Sequence, residues 1–141
     1  MESVVETAER FRAAVEERDL AALEDLFTED IRLYSPVKFR PFEGRPMVLG
    51  LFGVLLRVFE DLRYVGHFDG ATETGRDGTA GPASVLPFRA TVDGKEVHGI
   101  DMLHFDGAGR IKEFTVMVRP LSAVQTLGRA VLTGLQEDGL A

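Results

Sequence analysis

Asp101 is the residue whose type and setting most invite chemistry. It lies in the middle of Gly99-Ile100-Asp101-Met102-Leu103-His104-Phe105, a segment that alternates as a β-strand does. That alternation puts Asp101 on the same side as Val97, Gly99, Leu103 and Phe105, an apolar face. A carboxyl group desolvated in such a place keeps its proton to higher pH, as general acids and bases require. A structural role has equal weight: buried carboxylates need a partner, and a hydrogen bond to a helix or a neighbouring side chain would supply one. Gly99 leaves space beside Asp101, which favours a ligand.

Two further polar residues share inward parity. Ser35 follows Ile31 and Leu33 and precedes Pro36. It suits the orientation of a carbonyl or a water, and no His or Lys is spaced to make it a nucleophile. Tyr64 either offers its hydroxyl to a pocket or simply packs. Together, Asp101 as catalytic acid or base and Ser35 and Tyr64 as orienting groups describe chemistry on an apolar carbonyl compound. Phe11, Phe52, Leu55, Phe88, Leu103, Phe114 and Val116 would line the pocket.

The three histidines, His67, His98 and His104, have outward parity. His98 and His104 stand six residues apart on one strand, about 20 Å, so they cannot converge on a metal. With no Cys, thiol nucleophiles, disulfides and Cys-zinc sites are excluded, and no cofactor motif is present.

The elements that must position these residues follow from periodicity. Ser3-Val4-Val5-Glu6 has capping-box spacing, and Val4, Ala8, Phe11 and Val15 form a helical stripe. Asp19 reads as a second N-cap, with Ala22, Leu23, Leu26 and Phe27 behind it, and Phe27 to Asp30 ends that helix. Ile31 to Ser35 alternates as a strand that Pro36 stops. After the loop from Pro36, in which Phe39 and Phe42 are placed to line an entrance, a third helix begins near Pro46 and carries Val48, Leu51, Phe52, Leu55 and Phe59. From Leu62 the period becomes two: Leu62, Tyr64, Gly66 and Phe68 share one face. Asp69 to Gly81 reads as a mobile loop. Ala83–Val92, Lys95–Phe105 and Ile111–Val118 are strands joined by Asp93-Gly94 and by Asp106 to Gly109. Leu121–Leu135 is a final helix, with Ser122 as its cap, that covers the pocket mouth, packs onto a partner or finishes the core. The 141 residues make one α+β domain, 1–141, with helices packed on one face of a sheet.

The opposite sheet face carries Val85, Pro87, Ile100, Met102, Thr115 and Met117, rimmed by Arg89, Glu113, His98 and His104. An apolar centre with a polar rim is the pattern of a protein–protein face, so a homodimer through it is expected. The net charge is −7 and the 16 Lys and Arg are scattered along the chain, with no basic stripe, which argues against nucleic acid. No apolar run is long enough to span a bilayer and no signal-peptide core appears, so a cytoplasmic location is expected.

Arg18-Asp19-Leu20, Leu26-Phe27 and Ser35-Pro36-Val37 resemble the opening of the nuclear transport factor 2-like superfamily. Gly99 to Phe105, followed by Gly109-Arg110-Ile111, resembles its last strand pair. Within it the chain is most similar to the SnoaL-like proteins, which include polyketide cyclases. The resemblance implies a cone-shaped, strongly curved mixed or antiparallel sheet wrapped around three N-terminal helices, a cystatin-like α+β barrel, plus a C-terminal helix. It also implies a pocket at the open end and frequent dimers. Ketosteroid isomerases of the superfamily use a Tyr, an Asp base and an Asp acid. Those positions are Phe11, Ser35 and Asp101 here, so only the acid is kept. The Arg of limonene epoxide hydrolases falls on Gly99. The Asp–His pair of some polyketide cyclases is not formed, because His98 and Asp101 have opposite parity. The resemblance thus leaves two readings, a cofactor-free isomerase, cyclase or hydrolase, or a non-catalytic binding or association module.

Overall fold

The computed structural model describes residues 4–141. The Ser3 half of the expected capping box lies outside the described residues. Helix α1 (Val4–Glu16) buries Ala8, Phe11 and Val15, the stripe its spacing demands. Arg18 turns the chain at φ 58°, and Asp19 then caps α2 (Leu20–Leu26) by accepting the Ala22 N–H at 3.1 Å.

Strand β1 (Phe27–Tyr34) starts directly at the end of α2. The expected helix end, Phe27 to Asp30, is extended instead, because Phe27 pairs with Ile111 of the last strand. A short β2 (Phe42–Glu43) pairs back on β1. Gly44, at φ 90°, admits α3 (Arg45–Val58) with Pro46 in its first turn. Then come β3 (Glu60–Tyr64), β4 (Phe68–Glu73), β5 (Ala80–Val92), β6 (Lys95–Phe105), β7 (Ile111–Arg119) and α4 (Leu121–Glu137).

Two expectations fail along this stretch. The strand expected from Leu62 to Phe68 breaks after Tyr64, and Phe68 lies 65% exposed on β4. The supposed loop from Asp69 is mostly β4, paired with β5 from Phe68↔Val85 to Glu73↔Ala80. Only the turn near Thr74–Thr79 is irregular, braced by Asp77 Oδ1, which accepts from the Thr74 hydroxyl and the Thr79 N–H. Both faces of β4 are largely solvated, so hydrophobic alternation had nothing to mark there. Ser122 does not cap α4; Pro120 holds the N-cap position without a side-chain bond.

The sheet order is β2-β1-β7-β6-β5-β3, with β4 sharing the β5 edge. Only β1–β7 is parallel. The β5–β6 turn is Asp93-Gly94, both at positive φ, the primed geometry that suits a two-residue hairpin. Irregular registers in β1–β7, β3–β5 and β6–β7 mark where strands bend. The sheet curves but keeps two free edges, so it does not close into the expected barrel. Its inner face meets α1, α3 and α4 around Phe11, Phe27, Phe88, Phe105 and Phe114, all at most 2% exposed.

Candidate functional site

Asp101 stands mid-strand on β6, opposite Leu86 of β5 and Val116 of β7, and is 6% exposed. The register also shows how Tyr64 finds it. Tyr64 pairs with Phe88, and Phe88 pairs with Gly99, so the Tyr64 ring can lean across β5 toward β6. Its hydroxyl donates to Asp101 Oδ2 at 2.7 Å. Asp101 therefore does not stand alone.

Phe88, not a ligand, takes the space that Gly99 leaves. A Cβ at Gly99 would lie 2.3 Å from Phe88 Cζ and 2.9 Å from the Met117 carbonyl oxygen. The Tyr64 backbone is held from α1. Its N–H donates to Glu16 Oε2 at 3.2 Å, and its carbonyl accepts from Arg12 Nη2 at 3.2 Å. The ring packs between Phe11 and Phe88, with centroids 6.3 and 6.2 Å away.

Burial pushes the Asp101 carboxyl up to about 7, and the bond from Tyr64 opposes this in part. Burial, together with the neighbouring Asp101 charge, raises the Tyr64 phenol well above its usual value. Near neutral pH the pair can therefore present a proton on an otherwise apolar wall. A group in that state can donate to a carbonyl oxygen.

The remaining expected lining residues divide into two groups. Phe11, Phe52 and Phe114 pack on one another at centroid distances of 5.2 to 6.1 Å and fill the interior beside Leu103. Ser35, Leu55 and Val116 instead line a cavity that also touches Leu33, Phe59, Leu127 and Val131. That cavity holds about 20 Å³ of free space, enough for about one water. Asp101 is not in its lining, although its register partner Val116 is. Leu127 and Val131 of α4 form part of its wall. Ser35 Oγ accepts the Val37 N–H at 3.4 Å, a long bond. Phe42 is buried, whereas Phe39 is 95% exposed beside a separate groove.

On the outer face, the expected rim residues His104 and Glu113 are each 2% exposed. The β4–β5 turn covers them: the Gly75 N–H donates to Glu113 Oε2 at 2.7 Å, and His104 Nε2 lies 3.6 Å from the same oxygen. Glu113 Oε1 has no hydrogen-bond partner among the described residues. Burial holds the His104 imidazole below its usual value, with Glu113 opposing the shift. Sequence alternation could not find this pair, because its cover comes from a segment without hydrophobic pattern. Among the described residues no group of three or more His, Cys, Asp or Glu could hold a metal, and no helix is long and apolar enough to cross a membrane.

Comparison with known proteins gives first the class. Solved structures with cystatin-like and nuclear transport factor 2-like folds superpose on the chain. The SnoaL-like domain model matches residues 8–114, and the chain belongs to that family. One similar structure is a steroid delta-isomerase from Pseudomonas aeruginosa. It is 35% identical, with 98% of this chain and 95% of that chain covered and a TM-score of 0.84. Another, from Silicibacter pomeroyi DSS-3, is an uncharacterised protein with a cystatin-like fold. It is 25% identical over 94% of this chain and 87% of that one, with a TM-score of 0.83. A putative SnoaL-like polyketide cyclase from Shewanella denitrificans OS-217 shares the fold at 14% identity and a TM-score of 0.60, covering 92% of this chain and 97% of that one. No curated protein matches the sequence.

Proposed function

We propose that this protein binds an apolar small molecule bearing a carbonyl group inside the curved sheet, and that Asp101 donates a hydrogen bond to that carbonyl. The observation that carries the reading is the buried Asp101 carboxyl on an otherwise apolar inner face, with the Tyr64 hydroxyl donating to it at 2.7 Å; burial pushes this carboxyl up to about 7. The likeness to a protein described as a steroid delta-isomerase supports it, because such a substrate is apolar and carbonyl-containing. Carbonyl polarisation is the step assigned. Proton abstraction by the superfamily's isomerase route has no group at its usual position, where Ser35 stands in place of a carboxylate.

With about 20 Å³ free, a ligand enters only if part of the cavity wall moves, and we assign that movement to α4, which contributes Leu127 and Val131. A second reading, a filled interior in which Asp101 and Tyr64 only tie β6 to β3, draws on that same small volume. Titration with a 3-keto-Δ4 steroid, followed by its enone absorption, separates the two. Binding should shift the absorption to longer wavelength, and Asp101→Leu should abolish the shift and weaken binding about tenfold. Unchanged binding and shift in the variant would refute the role of Asp101. A wild type that binds no steroid would leave the structural reading.

A further inference from the structure

The sheet register gathers basic residues that the sequence disperses. Arg63 pairs with Arg89, Arg89 with His98, and His98 with Arg119. Their strand neighbours Tyr64, Phe88 and Gly99 are buried on the inner face, so the four residues form one row across the outer face of β3, β5, β6 and β7. The scatter of basic residues along the chain concealed this stripe. Like charges at directly opposed positions repel, so the Arg63–Arg89 pairing is unfavourable in isolation.

Arg63 has a neutralising partner, Asp61, at 2.9 Å. Among the described residues Arg89 donates only to the Phe88 carbonyl, at 3.1 Å. Among the described residues neither Arg89, His98 nor Arg119 has a carboxylate within ion-pair distance. These three bound a groove of about 440 Å³ whose other lining includes Pro87, Ile100 and Met117, and no carboxylate among the described residues lines it. Glu60 and Glu96 stand one row further out, opposite Thr91. A cationic end on an apolar groove is unexpected in a chain of net charge −7.

In place of the homodimer expected through Pro87, Ile100 and Met117, we propose that this groove binds an amphipathic organic anion, a carboxylate, sulfate or phosphate carried on an apolar body. The anionic head lies between Arg89 and Arg119, whose guanidinium forks match the oxygen pairs of such groups. The apolar body lies along Pro87, Ile100 and Met117. The groove volume falls within the range of small-molecule sites. The row is only four residues long on an acidic protein, which disfavours an extended polyanion.

Decyl sulfate below its micelle concentration, 1-decanol and inorganic sulfate are the probes, titrated calorimetrically and by methyl NMR. Decyl sulfate should bind about tenfold or more tightly than either fragment and shift the Ile100 and Met117 methyls. Arg89→Gln combined with Arg119→Gln should remove that advantage and leave decanol binding unchanged, while thermal unfolding checks that the variant folds. Decanol binding as tightly as decyl sulfate would overturn the proposal, as would an unaltered response in the double variant. Self-association through this face that excludes decyl sulfate would overturn it too, and assign the groove to a second copy of the chain.

Discussion

At the residue scale, the consequence of Asp101 is a pH dependence of stability with a definite sign. Its carboxyl keeps its proton to about pH 7 when folded, against a usual value of 3.8. Between those values the unfolded chain ionises this group and the folded chain does not. Its contribution is therefore complete below pH 3.8, falls as pH rises toward 7, and changes little above that. The full loss is on the order of 4 kcal/mol. Other carboxylates act with the opposite sign. Asp77, held at about 2 by Thr74 and Thr79, and Asp30, held low by Arg76, favour the fold above the usual carboxylate range and lose that effect as pH falls. Asp101→Asn removes only the first effect. Urea unfolding between pH 4 and 8 should show the variant gaining on wild type as pH rises. Two parallel curves would mean that the Asp101 carboxyl ionises normally in the fold. The inward placement of Asp101 was legible in sequence, because two tight turns set the parity of β5, β6 and β7. Its partner was not: Tyr64 reaches it from β3, an edge strand whose register no turn dictates.

At the element scale, legibility followed hydrophobic contrast. Helices α1 and α3 and strands β5 to β7 each bury one face, so their periods were readable. Strand β4 buries neither face deeply, and the first residues of β1 look helical until β7 pairs with them. Close approach between helices was equally hidden. Gly134 of α4 meets α3 so tightly that a Cβ there would lie 2.5 Å from Val54 Cγ1, on a side chain that is fully buried. Gly50 of α3 differs: its Cβ would meet Leu140 Cδ1 at 2.7 Å, the end of a partly exposed side chain that can turn away. Ala gains about 1 kcal/mol of helix propensity over Gly at either site. Gly50→Ala should therefore be neutral or stabilising by up to about 1 kcal/mol, and Gly134→Ala should cost about 1–3 kcal/mol through overpacking. Thermal unfolding of the two variants side by side is the check. A Gly134→Ala protein as stable as Gly50→Ala would show that α3 and α4 can move apart freely.

At the scale of the whole molecule, the question is how a nearly filled interior admits anything. The sheet lines the cavity with Leu33, Phe42 and Val116, α3 adds Leu51 and Leu55, and α4 adds Leu127 and Val131. Parity and the apolar stripe of α4 anticipated a helix there without deciding whether it would seal the space, since that depends on side-chain volumes summed over several elements. In the structure it leaves about 20 Å³. The opening proposed for ligand entry would break α4 contacts at a cost set against a total stability of about 5–15 kcal/mol. Leu127, 2% exposed and part of the cavity wall, tests this directly. Leu127→Ala should destabilise the protein by about 2–5 kcal/mol, because the methyl groups lost leave a void that a rigid sheet cannot collapse. The same void, added to the existing space, should stay dry and accept a small apolar guest. Benzene should therefore raise the unfolding temperature of the variant and leave the wild type unchanged. Equal responses would mean that α4 already opens in the native protein. A loss below about 1 kcal/mol would mean that Leu127 was never packed tightly, and either outcome would remove the requirement that a ligand displace this helix.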